Sequence, residues 1–220
     1  MAETNTSGII TAAADIIAGA FNALPKRVCN QHKFSDYADY LHENLPAQAE
    51  LDLQREKPLN PAPLVSVAIA CSGASRAAVL STLEALGKQT YANFEVCVVS
   101  ELAQAGLTDY EGIPKFRLVL FNGTAHEQLK AAEKMLNGAY FLQLLPGDLP
   151  APDALHMLVL QTHANPEAEV VFADEDSVID GIRQNPIFKP DYGRDTLRSF
   201  NSIGRPMLVS KRVHTAVGGF

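Results

Sequence analysis

Acidic residues collect where apolar runs of the chain stop: Glu101, Asp148, the consecutive Asp174, Glu175 and Asp176, and Asp180. Carboxylates gathered at one edge of a sheet can hold a hard divalent cation. Mg²⁺ or Mn²⁺ held there can in turn hold a diphosphate, since both prefer oxygen ligands. Asp, Gly and Pro also populate turns for reasons of their own. For Asp148, inside Pro146-Gly147-Asp148, the turn and the ligand explanations weigh equally. Three acids directly behind an apolar run are harder to explain as solvation, and we read Asp174, Glu175 and Asp176 as functional.

Other familiar chemistry is missing from the chain. It has no Gly-x-Gly-x-x-Gly, no phosphate loop ending in Gly-Lys-Ser/Thr, and no Gly-x-Ser-x-Gly elbow. His32, His42, His126, His156, His163 and His214 are scattered. His156 and His163 share one face of an expected helix, but without a third ligand that spacing reads as surface or packing. Cys29, Cys71 and Cys97 have no close spacing. They read as free thiols of a reducing compartment, with no zinc pattern.

These side chains need a frame. Residues 64–71 form a continuous apolar run, 72–75 a small polar loop, and 77–86 a helical segment ending at Gly87. A second apolar run, 94–99, stops at Ser100 and Glu101. This is a βαβ unit whose strands lack polar alternation, as in a parallel sheet covered on both faces. Ligands of such sheets bind at the carboxyl ends of the strands. That directs attention to Ala70, Cys71, Ser72 and Gly73 on the first strand, and to Ser100 and Glu101 on the second.

Further along, 102–114 reads as a loop or irregular helix and 116–121 as a third strand. A helix over 126–136 stops at Gly138, and 140–145 is a fourth strand. The turn with Asp148 leads to a helix over 152–163 and a fifth strand over 169–173. Residues 207–210 suggest a sixth. The expected architecture is a doubly wound, mostly parallel α/β sheet over 63–220, preceded by an N-terminal helical extension and linker over 1–62.

Within that extension, Ile9, Ile10, Ala13, Ile16, Ile17, Ala20, Phe21 and Leu24 recur at helical spacing, with Ser7 as a cap and Pro25 as a stop. A peripheral membrane contact and a docking surface for its own domain or a protein partner are both open. The polar face offers Asp15 and Asn22 but no basic row, which favours docking. A second helix is expected over 34–45, capped by Ser35, with Tyr37, Tyr40 and Leu41 as its apolar face. Residues 46–62, with Pro46, Pro58 and Pro61, read as a helical turn plus linker.

The 220 residues suit one α/β domain with an appendage, and a hydrophobic content of 47% is ample for its core. A net charge of −7 argues against broad nucleic-acid binding. It leaves room for an anionic small ligand met by a local cation. No run reaches the length of a membrane span, and the first residues lack a signal peptide's basic start. A cytoplasmic protein, in contact at most with the inner face of the membrane, is expected.

Several short motifs, in order, resemble the family 2 glycosyltransferases with the GT-A fold, over most of residues 34–220. Pro63-Leu64-Val65-Ser66 looks like the family's opening strand. Gln89-Thr90-Tyr91 and Asn93-Phe94-Glu95-Val96 look like the segment before the second. Gly138-Ala139-Tyr140 and Pro152-Asp153-Ala154-Leu155 bracket the place of the family's metal motif. Ala173-Asp174-Glu175-Asp176, then Phe188-Lys189-Pro190-Asp191, resemble a subgroup linked to bacterial surface polysaccharides. Its N-terminal extension is similar to the helix carrying Tyr37 and Tyr40 and to residues 50–55. Gly218-Gly219-Phe220 matches the family's Gly-Gly-Phe.

The resemblance implies a nucleotide-diphospho-sugar donor, a divalent metal (Mg²⁺ or Mn²⁺), a glycan or lipid-linked acceptor, and transfer with inversion. It places Ala70, Cys71, Ser72 and Glu101 at the nucleotide. Asp148, Asp174, Glu175 and Asp176 fall at the diphosphate and metal, with Asp148 the metal ligand. The chain also departs from the pattern. The family's Asp-x-Asp-Asp reads Leu145-Pro146-Gly147-Asp148 here, so the usual metal ligand is Gly147, and Ser100 replaces another usual acid. The family's catalytic base and much of its acceptor site lie beyond Gly-Gly-Phe. The sequence therefore suggests the donor-binding part of a glycosyltransferase, truncated before the catalytic base. The alternatives are a degenerate, non-catalytic relative that binds a nucleotide or a protein partner, and a structural fragment without a ligand.

Overall fold

The computed structural model describes residues 37–101, 113 and 115–220. The amphipathic segment over 7–24, the Ser35 cap, Cys29 and most of the loop over 102–114 lie outside the described residues.

Two helices precede the sheet: α1 (Tyr37–Asn44) and α2 (Gln48–Glu56). The second occupies most of the stretch expected to be a turn and linker. It packs inward through buried Leu51 and Gln54, and the Gln54 carboxamide oxygen accepts the Thr90 hydroxyl at 2.7 Å.

β1 (Val65–Ala70) and β2 (Phe94–Ser100) are buried at every residue. The cause is cover on both faces. On one face, α3 (Arg76–Gly87) and α5 (Ala154–Ala164) place Val79, Leu83, Leu86, Leu155, Leu158 and Val159 against Val65, Val67, Ile69, Val96 and Val98. On the other, α4 (Ala125–Glu133) and the turn after it set Leu129, Ala132 and Leu136 against Ala68, Ala70, Cys97 and Val99. Each fully buried aliphatic side chain here contributes about 1.5–3 kcal/mol. Local chemistry starts the helices: the Ser75 hydroxyl accepts from Ala78 N, and Thr124 with Glu127 forms a reciprocal capping box.

The remaining elements are β3 (Phe116–Leu120), β4 (Tyr140–Leu144), β5 (Val170–Phe172), β6 (Glu175–Ile179), β7 (Ile182–Ile187), α6 (Arg194–Ser199), β8 (Met207–Ser210) and α7 (Lys211–Ala216). Six strands form one sheet in the order β3-β2-β1-β4-β8-β5. β1 runs parallel to β2 and β4, and β2 to β3. β8 is antiparallel to both β4 and β5 and lies between them. The expected mostly parallel α/β sheet is therefore present, with one reversed strand inserted.

β6 and β7 form a separate hairpin. Its two-residue loop is Asp180-Gly181, both at positive φ, 53° and 78°, as a tight hairpin of primed type requires. Asp180, grouped by the sequence with the candidate acids, is a turn residue. Among the described residues no helix is long and apolar enough to cross a membrane.

Candidate functional site

The carboxyl ends of β1, β2 and β4 open on one edge, and the sequence folds each end into a fixed shape. Cys71 N donates to Val99 O at 2.9 Å, and Ala74 N to Cys71 O at 3.0 Å, so the chain turns sharply after β1. Gly73 sits in that turn at a φ of 71°. Ser72 N donates to the buried Gln128 Oε1 at 2.8 Å, and Gln128 Nε2 donates to Phe121 O at 3.1 Å. Phe121 N closes the circuit on Ser100 O at 2.9 Å. One glutamine and one backbone bond thus tie the ends of three neighbouring strands into a preformed wall.

Ala70 and Cys71 are buried in that wall, Ser72 is exposed and Glu101 half-buried. Burial pushes the Cys71 thiol up to about 12. It is a protonated packing group at neutral pH, with no nucleophilic character.

Behind β4, Leu145-Pro146-Gly147-Asp148 forms a tight turn. Asp148 N donates to Leu145 O at 3.0 Å, and Leu145 N to Asp148 Oδ2 at 2.8 Å. Gly147 N is held by Ala78 O at 3.0 Å and by Thr82 Oγ1 at 2.9 Å, which pins the turn to α3. Gly147 adopts a φ of 97°, a conformation that an aspartate would strain to reach.

Every acid expected at the metal is engaged by the chain itself. Asp148 Oδ2 accepts Arg205 Nε at 3.1 Å. Asp174 accepts Lys189 N at 2.8 Å. Glu175 lies 3.4 Å from Lys189 Nζ. Asp176 Oδ2 takes both Arg183 Nε at 2.6 Å and the Tyr37 hydroxyl at 2.5 Å. Burial, then Asp176, pushes that hydroxyl up to about 12, and Tyr37 and Tyr40 pack on Phe188. Asp176 thereby anchors α1 to the hairpin.

Asp148 and Asp174 follow β4 and β5, and β8 stands between those strands. Among the described residues no three His, Cys, Asp or Glu side chains gather as a metal site. A dication on Asp148 would also face the Arg205 guanidinium across one carboxylate. As arranged, these residues do not fit Mg²⁺ or Mn²⁺.

The cations are what sequence reasoning missed. The Lys189 side chain is nearly fully buried; burial lowers its pKa, and Glu175 works the other way. Its Nζ donates to Arg205 O at 2.6 Å. Asn201 Oδ1 accepts from Ile203 N and Gly204 N at 3.2 and 3.1 Å. Gly204, at a φ of 55°, lies so close to Glu175 that an added Cβ would meet its Oε1 at 2.7 Å. These contacts fix the loop that presents Arg205. A cavity of about 420 Å³ adjoins it, lined by Gln143, Asn201, Gly204, Arg205 and His214 among others.

No family model matches the chain. It is 31% identical over 167 residues to the uncharacterized protein y4gI of Sinorhizobium fredii, covering 72% of this chain and 18% of that one. It is 25% identical over 194 residues to the O-antigen biosynthesis protein RfbC of Myxococcus xanthus, covering 84% and 15%. The chain thus spans less than a fifth of the length of either curated relative. In structure it is similar to the mannosyltransferase PcManGT from Pyrobaculum calidifontis, solved with GDP-Man and Mn²⁺. The TM-score is 0.52 at 18% identity, over 97% of this chain and 58% of that one. The fold is the GT-A α/β fold, and the chain resembles glycosyltransferases of bacterial surface-polysaccharide synthesis.

Proposed function

We propose that this chain is the donor-binding part of a glycosyltransferase that takes a sugar from a nucleotide-diphospho-sugar and adds it to a growing surface glycan or its lipid-linked precursor. The observation that carries the reading is the wall at the carboxyl edge, where Gln128 ties the end of β1 to that of β3, and Phe121 N bonds the end of β2 beside Glu101. A rigid crevice at strand ends is where an α/β sheet takes a nucleotide. The similarity to an enzyme solved with GDP-Man supports the same ligand class.

In this reading Ala70, Cys71 and Ser72 contact the nucleoside, and Glu101 accepts an N–H from the base. The diphosphate extends toward the turn at Asp148. Transfer breaks the bond between the anomeric carbon and a diphosphate oxygen. It forms one to an acceptor hydroxyl, whose proton passes to a base. No described residue is assigned as that base, and inversion at the anomeric carbon belongs to the proposal. Asp174, Glu175 and Asp176 organise the loops around the site. The protein works on the cytoplasmic side.

A second reading, a non-catalytic module that binds a nucleotide or a protein partner, is favoured by one feature. The hairpin exposes Val178, Ile179, Ile182 and Ile187, an apolar patch suited to a protein contact.

The test is calorimetric titration of the 220-residue chain with UDP, GDP and dTDP. Saturable binding of one of them is expected, weakened at least about tenfold by Glu101→Ala, the worth of a charged hydrogen bond. A folded chain that binds none of the three contradicts the donor-binding reading.

A further inference from the structure

The expected metal and the observed side chains disagree at the turn after β4, and the disagreement has a direction. Gly147 offers no ligand, and Asp148 is already paired with Arg205. Against the family's Asp-x-Asp-Asp this turn lacks two carboxylates, at Leu145 and Gly147, and the one it keeps is paired with a guanidinium. We infer that Arg205 takes the place of the divalent cation, and that a nucleoside diphosphate binds this edge through the Arg205 guanidinium without metal. The inference rests on the donor-binding reading above.

Arg205 is built for this in three ways. Its backbone is held from both sides, by Lys189 Nζ on its carbonyl and by the Asn201 turn before it. Its Nε is oriented by Asp148 Oδ2 at 3.1 Å, which spends one donor. Among the described residues, Nη1 and Nη2 make no hydrogen bond, and the side chain is 44% exposed beside the 420 Å³ cavity. Two donors in one plane match two phosphate oxygens, the bidentate pairing at which arginine excels.

Position supports the same conclusion. β8 runs against β4, so Arg205, just before β8 begins, stands at the edge where β4 ends. Of the three carboxylates near this edge, Glu175 and Asp176 are paired with the cations Lys189 and Arg183, and Asp174 accepts the backbone Lys189 N. The two ion pairs reduce the negative charge that would repel an anion. Asp148 serves as the positioning residue of the guanidinium.

The experiment titrates UDP and GDP into the 220-residue chain in EDTA and again in Mn²⁺. Affinities within about twofold of each other are expected. Arg205→Ala should weaken binding at least tenfold in EDTA, and Arg205→Lys, which keeps the charge but loses the fork, should restore only part of it. The two variants guard against a folding defect in either, checked by thermal melting. Binding that needs Mn²⁺ and is unchanged in Arg205→Ala overturns the inference and leaves the donor-binding reading standing. Binding of neither nucleotide in either buffer overturns both.

Discussion

Two carboxylate–guanidinium pairs sit on opposite edges of the same sheet and do different work. At the amino edge, Glu95 on β2 pairs with Arg117 on β3 at 2.7 Å, and its side chain is 2% exposed. Its other oxygen accepts the Ser66 hydroxyl and Asn137 N, both at 2.6 Å, and the Ser66 oxygen in turn accepts Gly138 N at 2.8 Å. At the carboxyl edge, Asp148 and Arg205 pair at 3.1 Å with side chains 26% and 44% exposed. In the first pair the carboxylate is buried and both its oxygens are taken, by Arg117, Ser66 and Asn137 N. In the second the carboxylate is part-exposed and Arg205, which pairs with it through Nε, lines a cavity. Burial and satisfaction together separate a pair that holds the fold from one that can be borrowed for binding.

The comparison breaks first at Glu95. Glu95→Ala leaves the part-exposed Arg117 without its carboxylate and strands the Ser66 hydroxyl and Asn137 N. A loss of about 1.5–3 kcal/mol is expected in urea or thermal unfolding. A loss below about 1 kcal/mol would make the two edges energetically alike.

Acid sharpens the same point. Burial alone would raise the Glu95 pKa, but the bonds from Asn137 N, Ser66 and Arg117 outweigh it and hold the carboxyl below its ordinary 4.5. The folded value lies below the unfolded one, so this stabilisation is complete above about pH 4.5 and drains away as pH falls through the folded value. Glu95→Gln should flatten the acid limb of the stability profile, read as melting temperature between roughly pH 2 and 6. An unchanged limb would assign acid sensitivity to other carboxylates.

Smaller effects belong to the carboxyl side. Tyr37→Phe deletes the bond to Asp176 and should cost about 1–2 kcal/mol, with faster proteolysis at α1. Unaltered cleavage would detach α1 from the hairpin in solution. Arg205→Met should change stability by at most about 1 kcal/mol, as for exposed pairs in general. A larger drop would show that this pair, too, holds the fold.

Much of the frame was legible because burial writes itself into sequence. Residues 64–71 and 94–99 carry no alternation, and both strands are covered on both faces. Family-like motifs turn out to be ties of the frame. Gln89 Oε1 accepts Leu155 N at 3.0 Å and its Nε2 donates to Ala151 O at 2.6 Å, while the Tyr91 hydroxyl donates to Pro63 O. The place of β8 was not legible. Four apolar residues announce a strand but not its neighbours, and only the fold inserts them, reversed, between β4 and β5. The hairpin was legible and passed over: Asp180-Gly181 between apolar residues is a turn signal, read instead as part of an acidic cluster.

The site was half legible for a similar reason. Acids stand out behind apolar runs, whereas Arg205 is 57 residues from Asp148 and Gln128 is 56 residues from Ser72. No local spacing joins them. Lys189 lay inside a recognised motif, but its partner Glu175 was assigned to a metal.

One paired measurement bears most directly on the difference between the two edges. Arg117→Met and Arg205→Met each remove one guanidinium, and both variants are melted and titrated with UDP and GDP in EDTA. Arg117→Met is expected to lose about 1.5–3 kcal/mol of stability and to keep nucleotide affinity. Arg205→Met should keep its melting temperature and lose at least tenfold in affinity. Equal affinities in the two variants, or the opposite pattern, would contradict this expectation.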